Sequence, residues 1–210
     1  KGEVVVIESD GLNELGYTET NDDFTQLSKE VILERIKEAG IVGLGGAGFP
    51  THIKMKKKPD VKIEEVILNG AECEPYLTSD QLNMELYPQK AIGGLKIIMK
   101  LMDCDKGYIG VEDNKQKAIG ILKNAAKDEK NISICSVKTK YPQGDERRLI
   151  NSITGKKISK AQRSNERGVQ GLNISSAMAI YDAVVHSIPL THRIVTMTGS
   201  AIKEPKNIYV

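Results

Sequence analysis

Two patterns of apolar and polar residues alternate along most of the chain. Short runs rich in β-branched residues are typical of strands, and longer segments with apolar positions every three or four residues are typical of amphipathic helices. From residue 65 onward the two patterns follow one another in turn. This succession predicts an α/β fold in which helices cover a mainly parallel sheet.

The predicted elements are short strands and medium-length helices. The predicted strands lie at 3–8, 66–68, 108–111, 132–137 and 194–199. The predicted helices lie at 29–39, 80–87, 89–102, 115–127, 144–153 and 174–186. Ser28, Asn114 and Asn173 precede three of these helices as side-chain caps, and Pro88 precedes a fourth as a first-turn proline. The polar segment 156–167 has no period and predicts an exposed loop.

The charge balance argues against a nucleic-acid partner. The 210 residues carry 30 Lys and Arg against 28 Asp and Glu, whereas non-specific nucleic-acid binding needs a dense basic surface. No apolar run approaches the roughly 20 residues that a membrane helix needs. The three cysteines are widely spaced and the three histidines lack ligand spacing, so we expect a cytoplasmic protein and no metal site in this chain.

A glycine-rich segment after the first predicted helix is the densest candidate for chemistry. Gly43, Gly45, Gly46 and Gly48 lie within six positions, where missing Cβ atoms let backbone amides approach an anion. The segment satisfies G-x-G-x-x-G literally. However, a helix precedes it and the next strand ends in Asn69 instead of an acid, so we reject the ordinary dinucleotide motif. The segment predicts a phosphate or flavin cradle, and a mobile glycine hinge is the alternative.

Lys54 follows the glycine segment closely. If Pro50 begins a helix, Lys54 projects toward the same loop, where its ammonium would bond a flavin carbonyl or a phosphate. The alternative is a solvated lysine, because three further lysines follow at 56–58.

Two more polar segments follow strand regions, where ligands bind in open α/β sheets. Residues 69–75 come directly after a buried predicted strand, and a polar turn is the alternative. Cys73 stands there between two carboxylates, which disfavour a nucleophilic thiolate. Residues 141–146 open a helix with Asp145 and Glu146 in its first turn, and simple helix capping is the alternative.

Four segments together resemble a known family. In chain order they are GLGGAGFPTHIK, NGAECEPYLTSD, GVEDNK and YPQGDERRLI, and they resemble the RnfC family of the Rnf electron-transport complex over about residues 35–205. Relatives with the same core include the electron-transfer protein associated with proline reductase and, more distantly, the NADH-oxidising flavoprotein of respiratory complex I. The resemblance implies a Rossmann-like layered FMN domain. Such a domain passes electrons between NADH, or a flavin or ferredoxin partner, and 4Fe-4S clusters elsewhere in the full-length protein.

The matched positions imply a set of cofactor-binding residues. The four glycines would form the cradle, and Lys54 would contact the flavin or its phosphate. The residues that would line the flavin or the nicotinamide are Asn69, Glu72, Cys73, Tyr141, Gly144, Asp145 and Glu146. Asn173 and Ser176 would meet the FMN phosphate. No catalytic side chain and no metal ligand is implied within this chain.

The chain departs from the complex I pattern in three places. Ala71 stands where that pattern has an acid, and Leu44 where it has an arginine. Residues 161–167 replace a glycine- and proline-rich segment that supplies an aromatic side chain to the adenine of NADH. We therefore expect weak or absent NADH oxidation by this chain alone.

The resemblance also implies a domain plan and partners. Residues 1–26 would be the tail of an N-terminal sandwich-type domain or a linker, 27–190 the FMN-binding domain, and 191–210 the start of a β-grasp-like domain. The implied partners are NADH and other electron-transfer subunits or a reductase. The full-length protein would be cytoplasmic or peripheral at the cytoplasmic face of the membrane. The alternative function is a docking scaffold that keeps the fold without a bound cofactor.

Overall fold

A parallel four-stranded sheet forms the centre of the molecule in a computed structural model that describes residues 4–12, 14–56 and 60–210. The strands are β1 (Glu65–Asn69), β2 (Gly107–Glu112), β3 (Ile132–Val137) and β4 (Val169–Asn173). Their order across the sheet is β3-β2-β1-β4. The first three strands confirm the predicted ones, so the α/β fold with a parallel sheet is confirmed.

The fourth strand is one that the apolar pattern does not reveal. Its sequence VQGLN interrupts the apolar run with Gln170 and Gly171, both of which are buried. The segment is extended because it pairs with β1 in parallel register, from Glu65 opposite Val169 to Asn69 opposite Asn173. Strand formation depends on such neighbouring strands more than on the intrinsic β-propensity of the residues, so the local sequence pattern does not predict β4.

Seven α-helices surround the sheet in the described part of the chain. They are α1 (Lys29–Glu38), α2 (Thr51–Lys54), α3 (Ser79–Leu86), α4 (Pro88–Met102), α5 (Gln116–Ala125), α6 (Glu146–Thr154) and α7 (Ile174–His186). Short 3-10 helices lie at Phe24–Gln26 and Ser164–Arg167. The six predicted helices are confirmed, with ends within two residues of the prediction. None of these described helices combines the length and the apolar character that crossing a bilayer requires.

Both faces of the sheet are covered, because alternate residues of each strand point to opposite sides. Val66 and Leu68 of β1 belong to the main core, which also includes apolar residues of α1, α4, α5 and α7. Ile67 belongs to a smaller cluster with Leu149 and Ile150 of α6. The main core therefore anchors α7 on one face, and α6 closes the other.

The helices α4 and α7 pack closely because glycines lie at their contact. A Cβ atom at Gly94 would collide with the carbonyl oxygen of Ala177, and one at Gly93 would collide with the ring of Tyr181. Without side chains at these positions the two helix backbones can approach each other. This packing holds α7 against the sheet.

An antiparallel hairpin ends the chain. It consists of β5 (Ile194–Met197) and β6 (Lys206–Tyr209), and β5 confirms the strand predicted in this region. The hairpin is hydrogen-bonded to Thr78, which lies next to the start of α3. The Thr78 N–H donates to Thr196 Oγ1 over 3.1 Å, and Asn207 Nδ2 donates to Thr78 Oγ1 over 3.0 Å. These bonds tie the hairpin to the main body.

The strand predicted at 3–8 is wrong for the residues that the structure describes. Residues 4–8 form no strand, and Val4 to Ile7 are 83–88% exposed. A β-branched run becomes a stable strand only when a neighbouring strand takes up its hydrogen bonds, and none in the described part of the chain pairs with it. Residue 3 lies outside the described residues.

The side-chain cap predicted for α5 is also wrong. The helix begins after Lys115, and no side chain caps it. The backbone N–H of Asn114 donates to Thr139 Oγ1 over 3.2 Å, while Asp113 accepts from the N–H and the hydroxyl of Thr139. These bonds, with Lys138 nearby, lower the pKa of Asp113 to about 2. The two residues therefore join the ends of β2 and β3 and do not cap a helix.

Candidate cofactor site at the carboxyl ends of β1 and β4

The crevice between β1 and β4 is the topological switch point of the sheet. From β1 the chain moves outward to β2 and β3 on one side, then returns to β4 on the other. Ligands of open α/β sheets bind at such a point, outside the carboxyl ends of the strands. The last residues of the two strands, Asn69 and Asn173, lie side by side in register there.

The glycine loop, residues 43–48, lies over this crevice although it precedes β1 in the chain. The N–H of Leu44 donates to Ser176 Oγ over 2.8 Å, which ties the loop to the first turn of α7. A Cβ atom at Gly45 would lie 3.1 Å from Cβ of Asn173. The loop therefore approaches the start of α7 more closely than a larger residue would easily allow.

The backbone of the loop turns back on itself and leaves amides free. Gly43 donates to the Phe49 carbonyl over 2.9 Å, and Gly48 donates to the Gly43 carbonyl over 3.2 Å. Gly46 and Gly48 have φ values of +116° and +60°, which residues other than glycine rarely adopt. Within the described chain, the N–H groups of residues 45–47 have no hydrogen-bond partner. Such successive free amides form a concave surface suited to an anion.

The start of α7 is held by a polar network. Asn173 Oδ1 accepts from the N–H of Ser176 over 3.2 Å and so caps the helix, as predicted from its position. Asn173 Nδ2 donates to Asp80 Oδ2 over 2.8 Å, and Ser175 Oγ donates to the other Asp80 oxygen. Asn83 Nδ2 in turn donates to Ser175 Oγ over 2.9 Å. Asp80 is a site residue that the sequence does not single out, because its hydrogen-bond partners Asn173 and Ser175 lie more than 90 positions away in the chain.

Burial and charge set the protonation of this network. Burial raises the pKa of Asp80, and the hydrogen bonds from Ser175 and Asn173 and the charge of Arg193 act against that rise. Burial also raises the pKa of Glu72, with a further contribution from the charge of Asp80. Two carboxyl groups with raised pKa values therefore lie beside the switch point.

The two polar segments predicted after strands are joined to each other. Asn69 Nδ2 donates to the Gly144 carbonyl over 2.8 Å, and Asn69 Oδ1 accepts from the N–H of Ala71 over 3.0 Å. The N–H of Gly144 donates to Cys73 Sγ over 2.6 Å. A Cβ atom at Gly144 would lie 2.7 Å from the Ala71 carbonyl oxygen, so glycine is needed for this close approach.

Glu72 holds another helix in place. Its side chain is only 4% exposed, and its carboxylate accepts from the N–H groups of Asp80 over 2.8 Å and Gln81 over 3.1 Å. Lys115 Nζ lies 3.7 Å from the same carboxylate. Glu72 therefore positions the first turn of α3, and its oxygens are already occupied by protein donors.

The residues at 141–146 have different surroundings. Tyr141 is 74% exposed. Asp145 caps α6 by accepting from the N–H of Arg148 over 3.2 Å, which supports the capping alternative for this residue. Glu146 accepts from Ser164 Oγ over 2.7 Å and lies directly against Gly171 of β4.

Two adjacent cavities occupy the switch point. Their volumes are about 720 Å³ and 240 Å³, and they share the wall residues Gly45, Asn69, Gly144 and Asn173. Of the other predicted site residues, those that line the larger cavity are Gly46, Glu72, Cys73, Tyr141 and Asp145. Those that line the smaller cavity are Gly43, Lys54, Glu146 and Ser176. Gly48 lines neither and closes the glycine turn. In the described part of the chain, no group of three His, Cys, Asp or Glu side chains could hold a metal ion.

Comparison with protein families identifies the one to which most of the chain corresponds. The sequence profile of the Nuo51 FMN-binding domain matches residues 36–182, which include the glycine loop, the sheet and most of α7. The chain belongs to this family. The family resemblance expected from the four motifs is thereby confirmed.

Relatives within the family are subunits of redox complexes. The chain is 44% identical over its full length to the C component of the proton-translocating ferredoxin:NAD(+) oxidoreductase complex of Clostridium ljungdahlii. It is 42% identical over 98% of its length to the same component of the Na(+)-translocating complex of Acetobacterium woodii. It covers 46% and 47% of these two proteins, so the chain spans about half their length.

Solved structures share the fold. A chain of NAD+-reducing NiFe hydrogenase in the H2-reduced state has a TM-score of 0.72 and 18% identity, covering 90% of this chain and 38% of that chain. A chain of the same enzyme in the air-oxidised state has a TM-score of 0.64 and 24% identity. That match covers 75% of this chain and 30% of the hydrogenase chain. At these identities the likeness concerns the fold.

Proposed function

We propose that this chain binds FMN at the carboxyl ends of β1 and β4 and acts as an electron-transfer domain. One observation carries the proposal: two adjacent cavities at the switch point are lined by nearly all residues that the family motifs single out. The larger cavity, at about 720 Å³, lies within the roughly 300–1,000 Å³ range of small-molecule sites. Membership of the FMN-binding family supports the same conclusion.

The lining residues fit FMN. The larger cavity combines apolar side chains such as Leu44, Leu77 and Met178 with polar groups, which suits a flat aromatic ring with polar edges. The smaller cavity contains Lys54, Ser176 and the loop amides, which suits a phosphate. We place the ring in the larger cavity and the phosphate in the smaller one. When bound, FMN would supply the redox chemistry, and the protein would bind, orient and shield it.

The wider role follows from the relatives. Those proteins are subunits of ferredoxin:NAD(+) oxidoreductase complexes, and we propose that the full-length protein exchanges electrons with other subunits of such a complex. NADH would be a donor or acceptor, and the 4Fe-4S clusters would lie outside this chain. We further propose a peripheral position at the cytoplasmic face of the membrane, with residues 191–210 beginning the next domain.

FMN binding can be tested at Gly46. Replacing Gly46 with Val places a branched side chain at φ +116° and beside the larger cavity, where no described residue other than its chain neighbours lies within 4 Å of the new Cβ. We expect Gly46→Val to weaken FMN binding by at least about 100-fold, or about 2.7 kcal/mol, in a fluorescence-quenching titration. The positive φ strains the loop around the new side chain, but the substitution meets no buried core residue, so we expect the core of the fold to remain.

The matched control is Gly199→Val. Gly199 also has a positive φ, +130°, and open space around its Cβ position, but it lies in the terminal hairpin turn. This variant should bind FMN like the parent chain. If Gly46→Val bound FMN with the affinity of the parent chain, the glycine loop would not be part of the FMN site. If the parent itself fails to quench FMN, the docking scaffold becomes the better description.

A further inference from the structure

Thr51 carries a buried hydroxyl group without a hydrogen-bond partner. The residue is 1% exposed, and its Oγ1 contacts no donor or acceptor in the described part of the chain. Its backbone is satisfied, because its N–H donates to the Ile41 carbonyl and its carbonyl accepts from the N–H of Met55, both over 2.9 Å. Only the hydroxyl is left unpaired.

An unpaired hydroxyl in this position needs an explanation. A buried threonine in a helix can satisfy its hydroxyl by bonding back to the carbonyl four residues earlier. Here that residue is Ala47 of the glycine loop, which precedes α2 and makes no such bond. Valine has the same shape and would remove the cost of burying an unpaired polar group. A threonine is therefore favoured at this position if something other than the protein pairs with its hydroxyl.

The smaller cavity is the place where such a partner can lie. Thr51 lines it together with Lys54, which is three residues later and so on the same side of α2. The Lys54 ammonium has no hydrogen bond or ion pair to any described residue. Gly45 and Ala47, whose amides are free, line the same cavity. Glu146 is the one carboxylate among the described lining residues, and it accepts from Ser164.

This set of groups selects a ligand class. A lysine ammonium and backbone amides only donate hydrogen bonds, and a hydroxyl can donate one. Donors grouped around a small cavity match the oxygens of a phosphate group. We infer that the Thr51 hydroxyl donates a hydrogen bond to the phosphate of FMN, a phosphate monoester, in the smaller cavity. The inference rests on the proposed function and adds to it a residue that helps to distinguish FMN from flavins without phosphate.

The test compares two ligands and two substitutions. FMN and riboflavin share the ring and the ribityl chain, so only FMN reports on the phosphate. Fluorescence-quenching titrations would give the Kd of each ligand for the parent, Thr51→Val and Thr51→Ser. We expect Thr51→Val to raise the Kd for FMN by at least about tenfold, equivalent to about 1.4 kcal/mol, and to leave that for riboflavin unchanged. Thr51→Ser keeps the hydroxyl and should stay close to the parent.

A melting experiment without ligand gives an independent reading. Thr51→Val removes an unpaired buried hydroxyl, so the ligand-free variant should melt at the same temperature as the parent or higher. Added inorganic phosphate should raise the melting temperature of the parent more than that of Thr51→Val. If Thr51→Val fails to fold, Thr51→Ala provides the same comparison of FMN with riboflavin.

The outcomes separate the inference from the proposed function. Parental FMN affinity in Thr51→Val would overturn the inference and leave the proposed function standing. An equal loss for FMN and riboflavin would also overturn it, because the hydroxyl would then shape the cavity without contacting the phosphate. A parent that binds neither flavin would reject the proposed function, and the inference with it.

Discussion

Single residues of the site divide into those that bind protein and those that are free to bind a ligand. The side-chain amides of Asn69 and Asn173 and the carboxylate of Glu72 are hydrogen-bonded within the protein. Lys54 and Thr51 have polar groups without protein partners in the described chain. The first group therefore positions loops and helices, and the second group would contact the phosphate.

The first prediction concerns Asp80 and pH. A carboxyl whose pKa is raised by burial binds its proton more tightly in the folded state than in the unfolded state. Stability is then lost as pH rises from the ordinary Asp value of 3.8 through the folded pKa, and it returns as pH falls. Asp80→Asn removes this dependence, so its unfolding free energy relative to the parent should increase as pH rises through that window.

Urea denaturation of parent and Asp80→Asn across this pH range would measure the difference. Glu72 lies close enough for the charge of Asp80 to raise its pKa, so the substitution also lowers the pKa of Glu72 and flattens the curve further. Arg193 is the neighbouring cation that favours the charged form of Asp80. A difference that does not change with pH would mean that Asp80 titrates normally.

Among the elements, α7 connects the site to the core. Its capping residue Asn173 also donates to the partly buried carboxylate of Asp80. Asn173→Ala removes the cap, worth about 0.5–2 kcal/mol, and takes one hydrogen-bond donor from the partly buried Asp80 carboxylate, worth up to about 1–3 kcal/mol. We expect a loss of about 2–4 kcal/mol of unfolding free energy together with weaker FMN binding.

The control for this prediction is Ser28→Ala. Ser28 caps α1 by accepting from the N–H of Val31, and it does not line either cavity. This variant should lose about 1 kcal/mol of unfolding free energy and keep the FMN affinity of the parent. A parallel loss of FMN affinity in both variants would indicate general destabilisation as the cause.

The contact between α4 and α7 leads to a third prediction. Gly94→Ala introduces a Cβ that collides with the Ala177 carbonyl oxygen, and the backbone cannot move aside without separating the helices. We expect a loss of about 1–3 kcal/mol or more in urea denaturation, as for other overpacked contacts.

Gly120→Ala on α5 should have the opposite effect. Beyond its own turn of α5, no described residue lies within 4 Å of the Cβ position at Gly120, so alanine only improves helix propensity and should add about 0.5–1 kcal/mol. Equal effects of the two substitutions would show that α4 and α7 are less closely packed than described.

At the scale of the whole molecule, the question is whether this chain can use NADH. Residues 161–167 contain no aromatic side chain, and the structure forms a loop and a 3-10 helix there. Because this segment offers no aromatic side chain to the adenine of NADH, we expect NADH to bleach the FMN-loaded chain slowly or not at all in stopped-flow absorbance measurements. Dithionite should bleach the same sample, which would show that the flavin is reducible. Rapid bleaching at NADH concentrations within the usual KM range of about 1 μM to 1 mM would contradict the prediction.

The local pattern of the sequence was sufficient to predict most of the helices and strands. Apolar spacing and caps such as Ser28 and Asn173 act over a few neighbouring residues, so α1 and α7 were predicted nearly to their ends. The glycine segment was also evident, because the density of glycine does not depend on distant residues. Motif resemblance then brought together residues from separate segments that the fold places around one switch point.

Tertiary structure alone decided the remaining features, and each depends on contacts between distant parts of the chain. The strand β4 exists because β1 lies beside it, while the run at 4–8 lacks a neighbour in the described chain and stays exposed. Asp80 and Thr51 look ordinary in sequence. Burial raises the pKa of the first and leaves the hydroxyl of the second unpaired, and burial arises only when the chain has folded.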